Sequence, residues 1–122
     1  MSMKDITAIN YLIEKGKKEL IEFYLHTDDY IEFIPDRQIK DFTQYSRHQF
    51  GEAYSVADNV FGTDPQSNIF SGLWTIWWKY MKLFTVLNAS WDNVIPFRDA
   101  YENICRQLVQ KLYNRAAVLE GP

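Results

Sequence analysis

The chain has 122 residues, the length of one domain, and 47% of them are hydrophobic, which predicts a folded globular protein and excludes a disordered one. The net charge is −3 and the basic residues are scattered, so the sequence shows no basic patch of the kind that binds nucleic acid. The single cysteine, Cys105, excludes an internal disulfide and a cysteine-rich metal site.

The first predicted element is a helix over residues 2–26. Gly16 lies on its apolar stripe, where it indicates close approach of a neighbouring helix or a bend, at a cost of about 1 kcal/mol relative to alanine. The N-terminal residues become charged before an apolar run develops, so we expect no secretory signal peptide and a cytoplasmic protein. The stripe has a 3-4-3-4-3 spacing and consists of Ile6, Ile9, Ile13, Gly16, Leu20 and Phe23.

Residues 26–29 interrupt the helical pattern with polar side chains. A short apolar cluster follows and ends at Pro35. Because the residue before a proline is biased away from the helical conformation, we expect a short extra turn or segment near 29–34, outside the long helices.

A second long helix is predicted over residues 36–61, and Gly62 is well placed to end it. Asp64 and Pro65 then resemble a helix start, with a capping side chain followed by a proline at the first helical position. The connection to the apolar stretch 69–87 is therefore short, which predicts that these two helices are antiparallel neighbours.

The stretch 69–87 holds three of the four tryptophans and should form the most buried helix. Its apolar face, which includes Trp77, covers roughly half of the circumference. Trp78 falls on the narrow polar side. Lys79 and Lys82 lie near the middle of the stretch, where each would be costly in lipid, so a buried helix is favoured over a membrane span.

The last predicted helix has Pro96 in its first turn and runs to about Leu119. Cys105 lies at the edge of its apolar stripe, as expected for a small buried hydrophobic residue, whereas Tyr113 faces away from that stripe. Four long helices with mostly short connections predict an all-α fold. We expect a single domain over residues 1–122, arranged as an antiparallel up-down four-helix bundle.

The sequence contains no recognisable catalytic or metal-binding motif. Glu22 and His26 are spaced i, i+4, as are His48 and Glu52, whereas carboxylate di-iron bundles require Glu-x-x-His on two helices. Cys105 has no histidine in its segment that would activate it as a nucleophile. We therefore expect no enzymatic activity, no metal and no cofactor.

Two kinds of surface residue favour contact with another protein. Trp78 and Tyr113 are aromatic side chains outside the apolar stripes, and such residues bury much area at little entropic cost when a partner binds. The alternative for Trp78 is that it packs under the 27–35 connection. A cluster of carboxylates suits a basic protein partner, and the alternative is a solvated loop. The clustered residues are Asp28, Asp29, Glu32, Asp36 and Asp41.

Size, acidity and the missing catalytic motif together favour a non-enzymatic inhibitor that binds a protein. An immunity protein or antitoxin that neutralises a basic toxin, such as a nuclease, fits these properties. One alternative is a phage-type inhibitor of a host system. Another is a helical bundle that binds a cofactor or small ligand.

Overall fold

The computed structural model of the chain describes residues 3–46 and 50–121. These residues form helices joined by short connections, and no strand occurs within the two ranges. The predicted all-α bundle is therefore confirmed. In chain order the helices are α1 (Met3–Phe33), α2 (Asp36–Ser46), α3 (Phe50–Phe61), α4 (Ile69–Val86) and α5 (Trp91–Glu120).

The helix predicted over residues 36–61 consists of α2 and α3, which pack side by side. The rings of Phe42 and Phe61 are stacked with their centroids 5.6 Å apart. In one continuous helix these two residues would lie about 28 Å apart, because each residue adds about 1.5 Å. The prediction of a single helix is therefore wrong: α2 ends at Ser46 and α3 begins at Phe50, and residues 47–49 lie outside the described part of the chain.

This division into two helices changes the topology of the bundle. Gly16 of α1 lies against Phe97 of α5, and Tyr24, further along α1, lies against Lys111, further along α5. α1 and α5 are therefore parallel, and α4 runs antiparallel to both. In the predicted four-helix arrangement the first and last helices would be antiparallel, and the division of the predicted second helix into α2 and α3 inverts that relation.

α1 continues through residues 27–33, where we expected a break and a separate short segment near 29–34. The hydroxyl of Thr27, which is buried, donates to the carbonyl of Tyr24 at 2.7 Å. The Lys111 ammonium donates to the same carbonyl at 2.8 Å and to the Thr27 hydroxyl at 2.9 Å. These contacts from α5 hold α1 in helical form across polar residues that favour a turn.

The predicted boundaries near α4 are partly right. Gly62 follows α3 with φ of 88°, a conformation that glycine adopts without strain, so its predicted role is confirmed. Asp64 does not cap α4. Its carboxylate accepts from the backbone N–H of Gln66 at 2.9 Å and stabilises a turn over residues 65–67. The cap is Asn68, whose side-chain oxygen accepts from the Phe70 N–H at 2.9 Å.

α5 begins earlier than predicted, so Pro96 lies in its second turn rather than its first. Ser90 is the N-cap, and the Asn93 side-chain oxygen accepts from the Ser90 hydroxyl at 2.6 Å. Cys105, further along the same helix, is fully buried, as predicted.

The apolar face of α4 is less buried than its sequence indicates. Leu73, Ile76 and Tyr80 are in the core, but Trp74 is 45% exposed and Trp77 is only half-buried. None of the helices in the described ranges is long and apolar enough to cross a membrane.

Candidate partner-binding surfaces

Trp74 and Trp78 form an exposed pair on α4, which we call the tryptophan pair. They are four residues apart, so they lie on the same face of the helix. Their rings meet edge to face with centroids 5.6 Å apart, and their exposed fractions are 45% and 46%. The sequence left open whether Trp78 is exposed or packs under residues 27–35; it is exposed, and its ring contacts that of Trp74.

The tryptophan pair rests on fixed aromatic neighbours. Tyr54 of α3 packs edge-on against Trp74 at 5.5 Å and stacks on Tyr101 of α5 at 6.4 Å. The hydroxyl groups of Tyr54 and Tyr101 are hydrogen-bonded to each other. Burial raises the pKa of the Tyr101 hydroxyl well above its usual value, so the group stays neutral. Because these neighbours are already ordered, a partner would not have to immobilise Trp74 when it binds.

The predicted carboxylates gather where α1 ends and α2 begins. Asp28 is paired with the Lys111 ammonium at 3.0 Å, yet its side chain remains 73% exposed. Asp41, further along α2, is only partly exposed and lies outside this group. We call the group the acidic end; its members, all exposed, are Asp28, Asp29, Glu32 and Asp36.

Tyr113 is a packing residue between α5 and α2 rather than a free surface residue. It is half-buried, and its hydroxyl is hydrogen-bonded to the Ser46 hydroxyl at 2.7 Å. The same hydroxyl donates to the carbonyl of Thr43 at 3.3 Å. The expectation that Tyr113 is an exposed aromatic outside the apolar stripe is wrong in its exposure, because α2 packs over that side of α5.

The acidic end and the tryptophan pair do not lie close enough to form one site. Lys79, which follows Trp78, donates to the Glu19 carboxylate at 3.0 Å, so this part of α4 is level with residue 19 of α1. Asp28 lies about 14 Å further along the α1 axis. The two surfaces are therefore separate regions of the bundle.

The sequence analysis did not identify Trp74 and Tyr54 as members of a surface site. Trp74 lies at the edge of the apolar face of α4, and its exposure depends on how far α3 covers that edge. The i, i+4 spacing of Trp74 and Trp78 is the one signal in the sequence that could have paired them.

The groups considered for chemistry are dispersed. Burial raises the pKa of the Cys105 thiol to about 12, so it is neutral at physiological pH and a poor nucleophile. His26 is exposed on α1, and His48 lies outside the described residues. Within the described residues, no three histidine, cysteine, aspartate or glutamate side chains are grouped as metal ligands.

Comparisons with protein-family models, curated proteins and solved structures found no match. The function is therefore inferred from the geometry of the chain itself.

Proposed function

We propose that this protein is a non-enzymatic inhibitor that acts by binding another protein. An immunity protein or antitoxin that neutralises a basic toxin, such as a nuclease, is the form that fits best. The observation that carries the proposal is the tryptophan pair. Two adjacent indole rings that are each nearly half exposed present a large apolar area, and tryptophan is among the residues that dominate binding energy at protein interfaces.

The acidic end supports a basic partner. Its carboxylates are exposed, and the whole chain carries a net charge of −3. The negative electrostatic potential of these charges speeds association with a positively charged protein and has less effect on the lifetime of the complex. We assign the two surfaces different roles: the acidic end steers the partner, and the tryptophan pair anchors it. The lone buried Cys105 is compatible with a reducing compartment, so we propose that the protein acts in the cytoplasm.

Affinity capture with matched baits tests this proposal. The wild-type protein and a Trp74→Ser/Trp78→Ser variant are immobilised and exposed to the same lysate, after circular dichroism has shown that both are folded. We expect a basic protein that is retained by the wild type and lost from the variant. Its activity should fall to zero as an equimolar amount of the wild type is added.

Two results would count against the proposal. A partner retained equally by both baits would show that the tryptophan pair is not the anchor. Cleavage of RNA or turnover of a small substrate by the purified protein would show that it is an enzyme.

A further inference from the structure

A pocket of about 340 Å³ lies between α3 and α4, beside the tryptophan pair. Two aromatic side chains, two aliphatic hydroxyl groups and one carboxylate line it, and none of the lining residues is basic. We call it the Asp58 pocket. It is lined by Tyr54, Asp58, Thr63, Ser71 and Trp74.

The carboxylate of this pocket is held in place by a buried amide. Asn68 is 1% exposed, and its side-chain NH₂ donates to the Asp58 carboxylate at 3.1 Å and to the Gly62 carbonyl at 2.8 Å. Its side-chain oxygen accepts from the Phe70 N–H, so the amide is fixed at both ends. Asp58 is thus an exposed carboxylate whose orientation is set by the structure beneath it.

The aromatic wall is equally constrained. Tyr54 packs edge-on against Phe70 at 5.7 Å and against Trp74 at 5.5 Å, and its hydroxyl is bonded to that of Tyr101. The Tyr54 and Trp74 rings stand at 61° to each other, so they form an angled wall rather than a flat one. An arrangement fixed in this way loses little entropy when it receives a ligand.

We propose that the Asp58 pocket binds an arginine side chain of the partner protein; this inference rests on the proposed function. A guanidinium group stacks on aromatic rings and forms paired, charge-assisted hydrogen bonds with a carboxylate. The pocket offers both contacts, with the Tyr54–Trp74 wall for the planar cation and Asp58 for its N–H groups. The hydroxyl groups of Thr63 and Ser71 can accept hydrogen bonds from the remaining N–H groups of the guanidinium.

An NMR titration tests the pocket without a known partner. ¹H–¹⁵N spectra are recorded while N-acetyl-arginine amide is added, and again with N-acetyl-citrulline amide, which is neutral and of the same shape. We expect saturable shifts of the Trp74 indole N–H and of the Thr63 amide with the arginine compound. With the citrulline compound we expect no saturable change at these signals.

The matched variants are Asp58→Asn and Asp29→Asn, each of which removes one exposed carboxylate. Asp58→Asn should weaken arginine binding about three- to fivefold, and Asp29→Asn should leave it unchanged. Trp74→Leu should weaken it by a similar factor, because it removes part of the aromatic wall. Absence of a saturable shift, equal binding of both compounds, or equal effects of the two aspartate variants would overturn the proposal.

Failure of the pocket and failure of the proposed function give different results. A titration without saturable shifts would refute arginine binding in the Asp58 pocket, and it would leave the test of capture through the tryptophan pair unaffected. Conversely, capture that does not depend on the tryptophan pair would refute the proposed function, whatever the result of the arginine titration.

Discussion

Replacing Gly16 with alanine should destabilise the protein, although alanine is the better helix former. A Cβ atom built at Gly16 lies 2.6 Å from Cε1 and 2.8 Å from Cδ1 of Phe97, and 3.2 Å from Cδ1 of Tyr80. Carbon atoms in contact prefer separations of about 3.5–4.0 Å. The extra methyl group therefore requires either α1 to move outward or the Phe97 ring to turn.

The Phe97 ring has little freedom to turn. It is fully buried, and its centroid lies 5.7 Å from that of Trp77, 5.4 Å from that of Tyr80 and 5.6 Å from that of Phe84. Overpacking of this kind costs about 1–3 kcal/mol, and we take the upper value because the ring is enclosed. Alanine recovers about 1 kcal/mol of helix propensity, so the net loss should be about 2 kcal/mol.

Urea denaturation followed by circular dichroism and tryptophan fluorescence measures this loss. The matched control is Gly72→Ala on α4, where the new Cβ would lie 2.9 Å from Cε2 of Phe23. That contact is with the outer end of a half-buried ring, which can shift, so the control should be close to neutral. A Gly16→Ala variant as stable as the wild type would show that α1 and α5 do not approach as closely as the structure indicates.

A double-mutant cycle separates the clash from other effects. Phe97→Leu removes ring atoms near Gly16 and is itself destabilising. In that background Gly16→Ala should come close to neutral, because the closest contact, with Cε1 of Phe97, is gone, while the 3.2 Å contact with Cδ1 of Tyr80 still offsets part of the helix-propensity gain of about 1 kcal/mol. An unchanged loss of stability would place the cause outside the Gly16–Phe97 contact.

Three further predictions concern the ends of the bundle and its surface. In urea melts Lys111→Met should cost about 2 kcal/mol, and it should speed amide hydrogen exchange over residues 27–33. Lys79→Met, which breaks a partly exposed ion pair with Glu19, should cost below about 0.5 kcal/mol in the same melts. Trp77→Ala should lower the free energy of unfolding by about 3 kcal/mol and Trp78→Ala by below about 1 kcal/mol, because only Trp77 is packed between Phe97 and Tyr101. Equal losses would contradict the exposures of the two side chains. Once a partner is identified, replacing the carboxylates of the acidic end with lysine should slow association and reduce its salt dependence, and Trp78→Ala should speed dissociation. Surface plasmon resonance at two salt concentrations separates these effects, and unchanged kinetics in both variants would place the contact elsewhere.

Features that depend on short-range chemistry could be predicted from the sequence. Gly62 ends α3 because its backbone angle suits glycine, and Gly16 marks a close helix approach because a side chain there would meet a neighbour. In both cases the signal is the residue type itself, because glycine alone lacks a Cβ atom.

Features that depend on distant partners could not be predicted. The polar residues 26–29 favour a break, and α1 continues there because Lys111, 87 positions beyond Tyr24, supplies hydrogen bonds and charge. The apolar stripe of residues 36–61 stays in phase from Ser46 to Phe50. The hydrophobic period therefore carried no signal that this stretch forms two helices packed side by side.

The unpredicted division of this stretch into α2 and α3 also explains why the tryptophan pair is exposed. α3 runs antiparallel to α4, with Asn68 bonded to Asp58 and Trp74 packed on Tyr54. A single helix over residues 36–61 would continue in that direction, and its first half would cover α4 beyond Trp74. Instead α2 turns away and packs on α5, where its residues 43 and 46 are bonded to Tyr113.

The edge of α4 that carries Trp78 is consequently left without the cover that an uninterrupted helix would give. The same turn places α2 over Tyr113, which the helix pattern assigned to solvent. One change in the path of the chain thus partly covers Tyr113, a predicted contact residue, and leaves Trp78 exposed. It follows that the candidate binding surface is a product of the five-helix topology, and that the helix pattern of α4 alone does not specify it.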